Sequence, residues 1–274
     1  MITELDQAVP GTVLSIDPSE TCSKYDYFLS DWTKCRDAVS GQRAIKEKGE
    51  VYLPRPNGHS KEEYKKYLKR ASFYNATGRT VEGLMGMLFR KAPVVTTMNK
   101  DGIPEQINDE NTTKLINKAF GRLSTDGKGL NGTIRAFTEE VIVTNRVGAL
   151  VDFPYTEEEL YNLGINSKYD YDRAVLYPQI AMYKAESIIN WDWVSTPTGT
   201  VPYLYVLKEK ASEYNSKNMI ADEVTQYRIL YLENPYGPVN SRKYKQILVT
   251  RRESTEKGKY TVTDTIDKVI YPKK

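Results

Sequence analysis

EVTQYRILYLE (Glu223–Glu233) decides the fold class. Tyr, Val, Ile, Leu and Thr crowd this run, and it stops at NPYGPVN (Asn234–Asn240), a cluster of turn residues in which a strand ends. Three neighbouring runs share the texture: Tyr203–Glu209, Tyr244–Arg252 and Tyr260–Tyr271. Strands that follow one another across turns predict an antiparallel sheet in the last third of the chain. Working back toward the N-terminus, Gln179–Tyr183 and Ala149–Phe153 read as further strands, the second ending at Pro154. Between them and the sheet, Ala185–Asn190 predicts a short helix leading to Trp191 and Trp193.

Before Gly148 the pattern is helical. Asp31 can cap a helix running to Lys48, with Trp32, Cys35, Val39 and Ile45 near helical spacing and Gly49 as its stop. Pro54 and Pro56 make Val51–Gly58 an extended linker. Ser60 followed by Glu63 is a capping box for the next helix, which Asn75–Gly78 breaks. Arg79–Lys91 predicts a helix burying Val81, Leu84, Met85, Leu88 and Phe89, ended by Pro93. Gly83 and Gly86 each cost this helix about 1 kcal/mol relative to Ala, which predicts close approach of another backbone. Further helices are expected over Thr112–Leu123 and, after the glycine-rich Asp126–Gly132, from Leu130 through Ile134, Phe137, Val141 and Ile142 to about Asn145. Helices first and sheet later predict an α+β fold, with a helical part at 1–125 and an α/β part with antiparallel strands at 126–274.

Length permits one large domain or two ordinary ones. A net charge of +3 is mild, but the charge is blocked. Lys61–Lys91 carries +5 and Arg242–Lys259 another +5, whereas six acids outweigh Lys168 in Asp152–Asp172. Such blocks suit faces that meet different partners, copies of the chain included, and equally suit solvated faces. Cys22 and Cys35 match neither a disulfide framework nor a zinc or redox spacing, so synthesis in a reducing cytoplasm is expected. The first residues lack a signal peptide's basic and apolar regions, and Gly83–Phe89, the longest uncharged apolar stretch, is far too short to span a membrane.

Catalytic patterns are sparse. His59 is the sole histidine and sits in a loop without a nearby nucleophile in a strained turn. One His and two separated Cys make a transition-metal site improbable, and the glycines at 127–129 lack the GxxxxGK(S/T) frame. Asp152, at the end of an apolar strand, stands where Mg²⁺-dependent phosphoryl-transfer enzymes place a ligand, with Glu139, Glu140 or Asp170 as further carboxylates. The other reading of Asp152 is a cap on the strand end or on the Pro154 turn. Tyrosines number 21, and a large ring with a polar tip suits extensive, partly wet interfaces. Neither a catalytic residue nor a cofactor is expected.

Five blocks in fixed order carry a resemblance: Trp32–Ala38 (WxxxRDA), Tyr52–Pro56 (YLPRP), Glu63–Ala71 (EYxxYLxRA), Phe73–Pro93 (FYNATGRTVEGLxGMxFRKAP) and Val141–Pro154, which runs into LVDFP. Ile180–Trp191 adds a later match. From Lys34 to Phe153 the chain resembles the N-terminal region of a group of tailed-bacteriophage portal, or head-to-tail connector, proteins. The family residues it matches include Tyr52, Pro54, Arg55, Pro56, Tyr74, Asn75, Gly78, Arg79, Thr80, Gly83, Gly86, Phe89, Arg90, Asp152, Pro154 and Trp191.

The resemblance implies a structural subunit of a ring, commonly of twelve copies, at the portal vertex of a virion and made in the cytoplasm of a bacterial host. Its implied partners are the major capsid protein, the terminase large subunit, the tail adaptor and double-stranded DNA that passes non-specifically, with no membrane. It implies that this chain covers the wing, since family members add stem, clip and crown. Sliding DNA needs diffuse phosphate contacts. Lys65, Lys66, Lys69 and Arg70, or Arg251 and Arg252, can supply them or can pair with a neighbouring subunit. For Arg79 and Arg90, pairing with carboxylates is expected. A metal-dependent nuclease or phosphoesterase centred on Asp152 and another head-tail assembly protein are the alternative readings.

Overall fold

The computed structural model describes residues 13–14, 17–94, 96–98, 104–105, 110–153, 157–167, 169–170, 177–197, 199–215, 220–237, 242–250 and 260–268. The fold is α+β, with helices preceding an antiparallel sheet. The chain divides into two compact units, one made of residues 1–30 with 185–274 and the other of residues 31–184. The division expected at 125 falls inside the second unit, where the chain passes from one helix to the next.

The first unit is built on a six-stranded sheet. Strand β1 (Val13–Leu14) lies at one edge, beside the last strand of the chain. Chain order of the rest is β6 (Ile188–Thr196), β7 (Gly199–Asn215), β8 (Ile220–Glu233), β9 (Lys243–Thr250) and β10 (Tyr260–Lys268). Each pairs antiparallel with the next, giving the order β1-β10-β9-β8-β7-β6. Register puts Leu204, Val206, Tyr227, Ile229, Tyr231, Ile247 and Val249 on one face, all buried. Each such side chain contributes roughly 1.5–3 kcal/mol as an upper estimate. On the other face, Glu209 receives Arg228 and Gln226 from the adjacent strand, so the nearly buried charge is paired. Asn234, at φ 50, turns the chain between β8 and β9, where Gly237 N–H donates to Asn234 O.

Ala185–Asn190 departs from expectation. Only Ala185–Ser187 is helical, as a 3-10 turn, and Ile188 already belongs to β6. Ile188 and Ile189 are both buried, and two β-branched residues fit a strand better than a helix. The Tyr25 hydroxyl donates to Glu186 O and Cys22 N–H to Ile189 O, which ties the first residues to this strand.

Helices dominate the second unit. Helix α1 (Ser23–Ser40) starts eight residues before the expected Asp31. Asp31 lies within it and pairs with exposed Lys34, while the Thr21 hydroxyl donates to Asp26 near the helix start. Gly41, at φ 82, separates α1 from α2 (Gln42–Lys48), so one expected helix is two. A 3-10 turn at Gly49–Val51 continues past the expected stop at Gly49 and takes in Val51, the first residue of the expected extended linker. The capping box at Ser60 and Glu63 opens α3 (Lys61–Arg70). Helix α4 is Ala76–Leu88, α5 is Glu110–Gly121 and α6 is Leu130–Thr144. Asn145, left-handed at φ 56, caps α6 and turns the chain into β4 (Val147–Asp152). That strand pairs with β5 (Gln179–Lys184), and Ser124 bridges to Ile180 on β5. A short ladder of β2 (Thr97–Met98) with β3 (Pro104–Glu105) and helix α7 (Glu157–Asn162) complete the described elements.

Candidate functional site

Residues of Trp32–Ala38, Tyr52–Pro56, Glu63–Ala71 and Phe73–Pro93 come together in the second unit around the C-terminal half of α1. Arg36 follows Trp32 by one helical turn on the inward face, so its charge needs a partner there. It finds Glu140 of α6, with Nη2 at 2.7 Å from Oε2, and Lys184 stands 3.4 Å from Oε1. Trp32 is itself buried, and the Arg146 guanidinium stands 5.6 Å from its ring centroid. Asp37, next in sequence, accepts the Tyr52 hydroxyl at 2.6 Å and pairs with Lys48 at 2.9 Å. Burial opposes a charge on Asp37, but the Tyr52 hydroxyl and the Lys48 ammonium outweigh it and hold the carboxyl below its usual range. The hydrogen bond to Asp37 pushes Tyr52 up to about 12.

The next residues extend the network. The buried Tyr64 donates its hydroxyl to Leu53 O at 2.6 Å, so α3 holds the YLPRP segment. Arg55 reaches Glu50 at 3.9 Å, Pro54 is exposed and Pro56 half-buried. Asn75 does not merely break a helix. Its Oδ1 accepts Gly78 N–H at 2.8 Å as the cap of α4, and its Nδ2 donates to Val39 O at 2.7 Å. A Cβ at Gly78 would lie 2.5 Å from that Nδ2, and one at Gly41 2.7 Å from it. Both glycines make room for this one side chain.

Several residues singled out in the sequence stand elsewhere. The Arg79 guanidinium sits 4.9 Å from the Tyr74 ring centroid and bonds its hydroxyl, not a carboxylate as expected. Tyr74, Arg79, Thr80 and Arg90 are exposed, and Arg90 has no carboxylate partner among the described residues. On α4, Val81 and Met85 are buried as expected, but Leu84 and Leu88 are exposed and Phe89 half-buried, near Arg135. Among the described residues no heavy atom stands within 4 Å of a Cβ built on Gly83 or Gly86, so none of them makes the backbone approach expected there. Lys65, Lys66, Lys69 and Arg70 are all exposed on α3, facing away from Tyr64, and none pairs with a carboxylate among the described residues. Asp152 is half-buried and accepts Phe153 N–H at 2.8 Å. Asp170 accepts from Ser167, and Glu140 faces two cations. Among the described residues no three His, Cys, Asp or Glu gather as metal ligands, and no helix is long and apolar enough to cross a membrane. Trp191 is half-buried in β6, opposite Tyr205. Pro154, Arg251 and Arg252 lie outside the described residues.

No protein-family model and no curated protein matches the chain. Its geometry must therefore speak for itself. Arg36, Asp37, Tyr64 and Glu140 are the residues sequence reasoning did not single out as a group. The available signal was a charged pair one turn after a buried Trp, on a helix with a single inward face.

Proposed function

We propose that this chain is the wing portion of a portal-type subunit, which closes with copies of itself into a ring and lets double-stranded DNA pass. The observation that carries this reading is the meeting of segments that carry the resemblance: Asp37 with Tyr52, Leu53 with Tyr64, and Asn75 with Val39, the residue just after the first of them. These links are short, partly buried and mutually satisfied, as suits a stiff rim that must hold position while DNA slides. The exposed cations of α3, which pair with no carboxylate among the described residues, offer the diffuse charge that phosphate contact without base readout requires. Capsid protein, terminase and tail adaptor are the partners proposed for the assembled ring, at the portal vertex of a virion.

The test uses the intact gene product that contains this chain, imaged by negative stain and weighed by native mass spectrometry. Closed rings with a central channel are the expected result. Particles that stay monomeric or open at every concentration would remove the proposal.

A further inference from the structure

We infer that Asn57 is a site of spontaneous covalent modification, losing its side-chain amide to attack by the Gly58 backbone nitrogen and becoming aspartate or isoaspartate. The inference stands apart from the ring reading. Asparagine is among the heat-labile residues, and a glycine after it leaves the attacking nitrogen unshielded by a Cβ. The chain holds two such pairs, Asn57–Gly58 and Asn131–Gly132. The dipeptides are identical, but their surroundings differ.

Asn57 and Gly58 form the tip of a turn, Pro56–His59, closed by one backbone bond from His59 N–H to Pro56 O at 3.2 Å. Gly58 stands at φ 83, as the third residue of a type II turn requires. Both residues are exposed, and among the described residues no heavy atom lies within 4 Å of a Cβ built on Gly58. Neither the Asn57 amide nor the Gly58 N–H has a hydrogen-bond partner among the described residues. The loop is anchored on both sides of its tip, by the Tyr64 hydroxyl on Leu53 O at 2.6 Å and by the capping box at Ser60 and Glu63. Rotating the Asn57 ψ toward ring closure therefore sacrifices one bond and leaves the anchors in place.

Asn131 is exposed as well, but it lies in the first turn of α6. Ring closure there must pull its ψ away from the helical value and undo that turn. Thr133, which is buried, donates both its N–H and its hydroxyl to Gly129 O at 2.9 Å, and these bonds hold the turn shut.

The chemistry consumes one water and involves no change of oxidation state. The Gly58 nitrogen gives its proton to solvent base and bonds to Cγ of Asn57, while the Cγ–Nδ2 bond breaks and Nδ2 leaves as ammonia. Water then opens the succinimide. Attack at Cγ restores the normal backbone as aspartate, and attack at the main-chain carbonyl leaves the chain running through the side chain as isoaspartate. Either product adds a carboxylate to a loop that carries exposed Arg55 and His59.

The test keeps the folded 274-residue chain in warm, mildly alkaline buffer and digests it in acid. Peptides are read by mass spectrometry and by labelling with an isoaspartyl carboxyl methyltransferase. Asn57 is expected to convert at least ~10-fold faster than Asn131, a barrier difference of about 1.4 kcal/mol, and faster still as pH rises. In concentrated urea, where α6 is undone, the two rates should converge. Gly58→Ala should slow conversion at residue 57, although Ala is strained at this φ. Asn57→Gln keeps the glycine, needs a larger imide ring, and is expected to abolish the event at residue 57 while leaving Asn131 as it was. Equal rates at the two asparagines in the folded chain, a rate ratio that urea does not change, or labelling of the same peptide in Asn57→Gln would overturn the inference.

Discussion

The Arg36–Glu140 pair lends itself to a quantitative test of the network. The Glu140 side chain is 11% exposed and Arg36 27%, whereas Lys184 is 55% exposed and therefore contributes little. Breaking a fully buried pair costs about 3–5 kcal/mol, because the abandoned charge stays desolvated. With a quarter of Arg36 open to water, Glu140→Gln is expected to cost ~2 kcal/mol and Arg36→Met, which keeps the packing volume, ~1.5 kcal/mol. Once either partner is gone the other has less to lose, so the double variant should fall short of the sum by ~1–2 kcal/mol. Trp32 reports on this unit, and Trp191→Phe with Trp193→Phe removes the other two of the three tryptophans. Urea unfolding followed by Trp32 fluorescence then reads the unit alone, which matters because a two-unit chain need not unfold in one step. At a slope of ~2 kcal/mol per molar urea, Glu140→Gln moves the midpoint down by ~1 M with the slope unchanged. A coupling below ~0.5 kcal/mol would mean that the two residues act independently and that the network is only a set of neighbours.

Asn75→Ala should cost ~2 kcal/mol, about half from the lost cap of α4 and half from the Val39 carbonyl left without its donor, measured by thermal melting. Gly78→Ala should destabilise the same cap, because the new Cβ must push aside an amide held by two hydrogen bonds. For Tyr52 the folded value lies above the ordinary 10, so its contribution is complete below pH 10 and is lost as pH rises through about 12. Tyr52→Phe should therefore flatten that part of the alkaline stability profile, and an unchanged profile would count against the hydrogen bond. Asp37 runs the other way: its contribution is present above the ordinary carboxylate value and disappears as pH falls through the lowered folded one, which NMR titration of its carboxyl can follow. If the cations of α3 meet phosphate in the intact ring, alanine at Lys65, Lys66 and Lys69 should weaken DNA binding equally for unrelated sequences. Each lost contact should reduce the log–log salt slope by about 0.9.

The sheet was legible because its strands are rich in β-branched and aromatic residues and end at turn clusters, and the capping box at Ser60 because its two partners are three residues apart. Residues 23–30 were not legible as helix. Ser23, Asp26 and Ser30 favour caps and turns, while the hydroxyl bond of buried Tyr25 reaches a 3-10 turn more than 160 residues later. The glycines of α4 misled for a related reason: periodicity says which positions share a face, but not whether anything covers it. Asn75 shows the same limit in small compass. Its type and place announce a helix boundary, yet its second bond, to Val39, is a tertiary fact without a local sign.

That second bond has a kinetic consequence. Because one amide group holds both the last turn of α1 and the first turn of α4, neither end can fray without releasing the other. The backbone amides at these two helix ends should open together in hydrogen exchange, with a common protection factor, although they are some 36 residues apart in the chain.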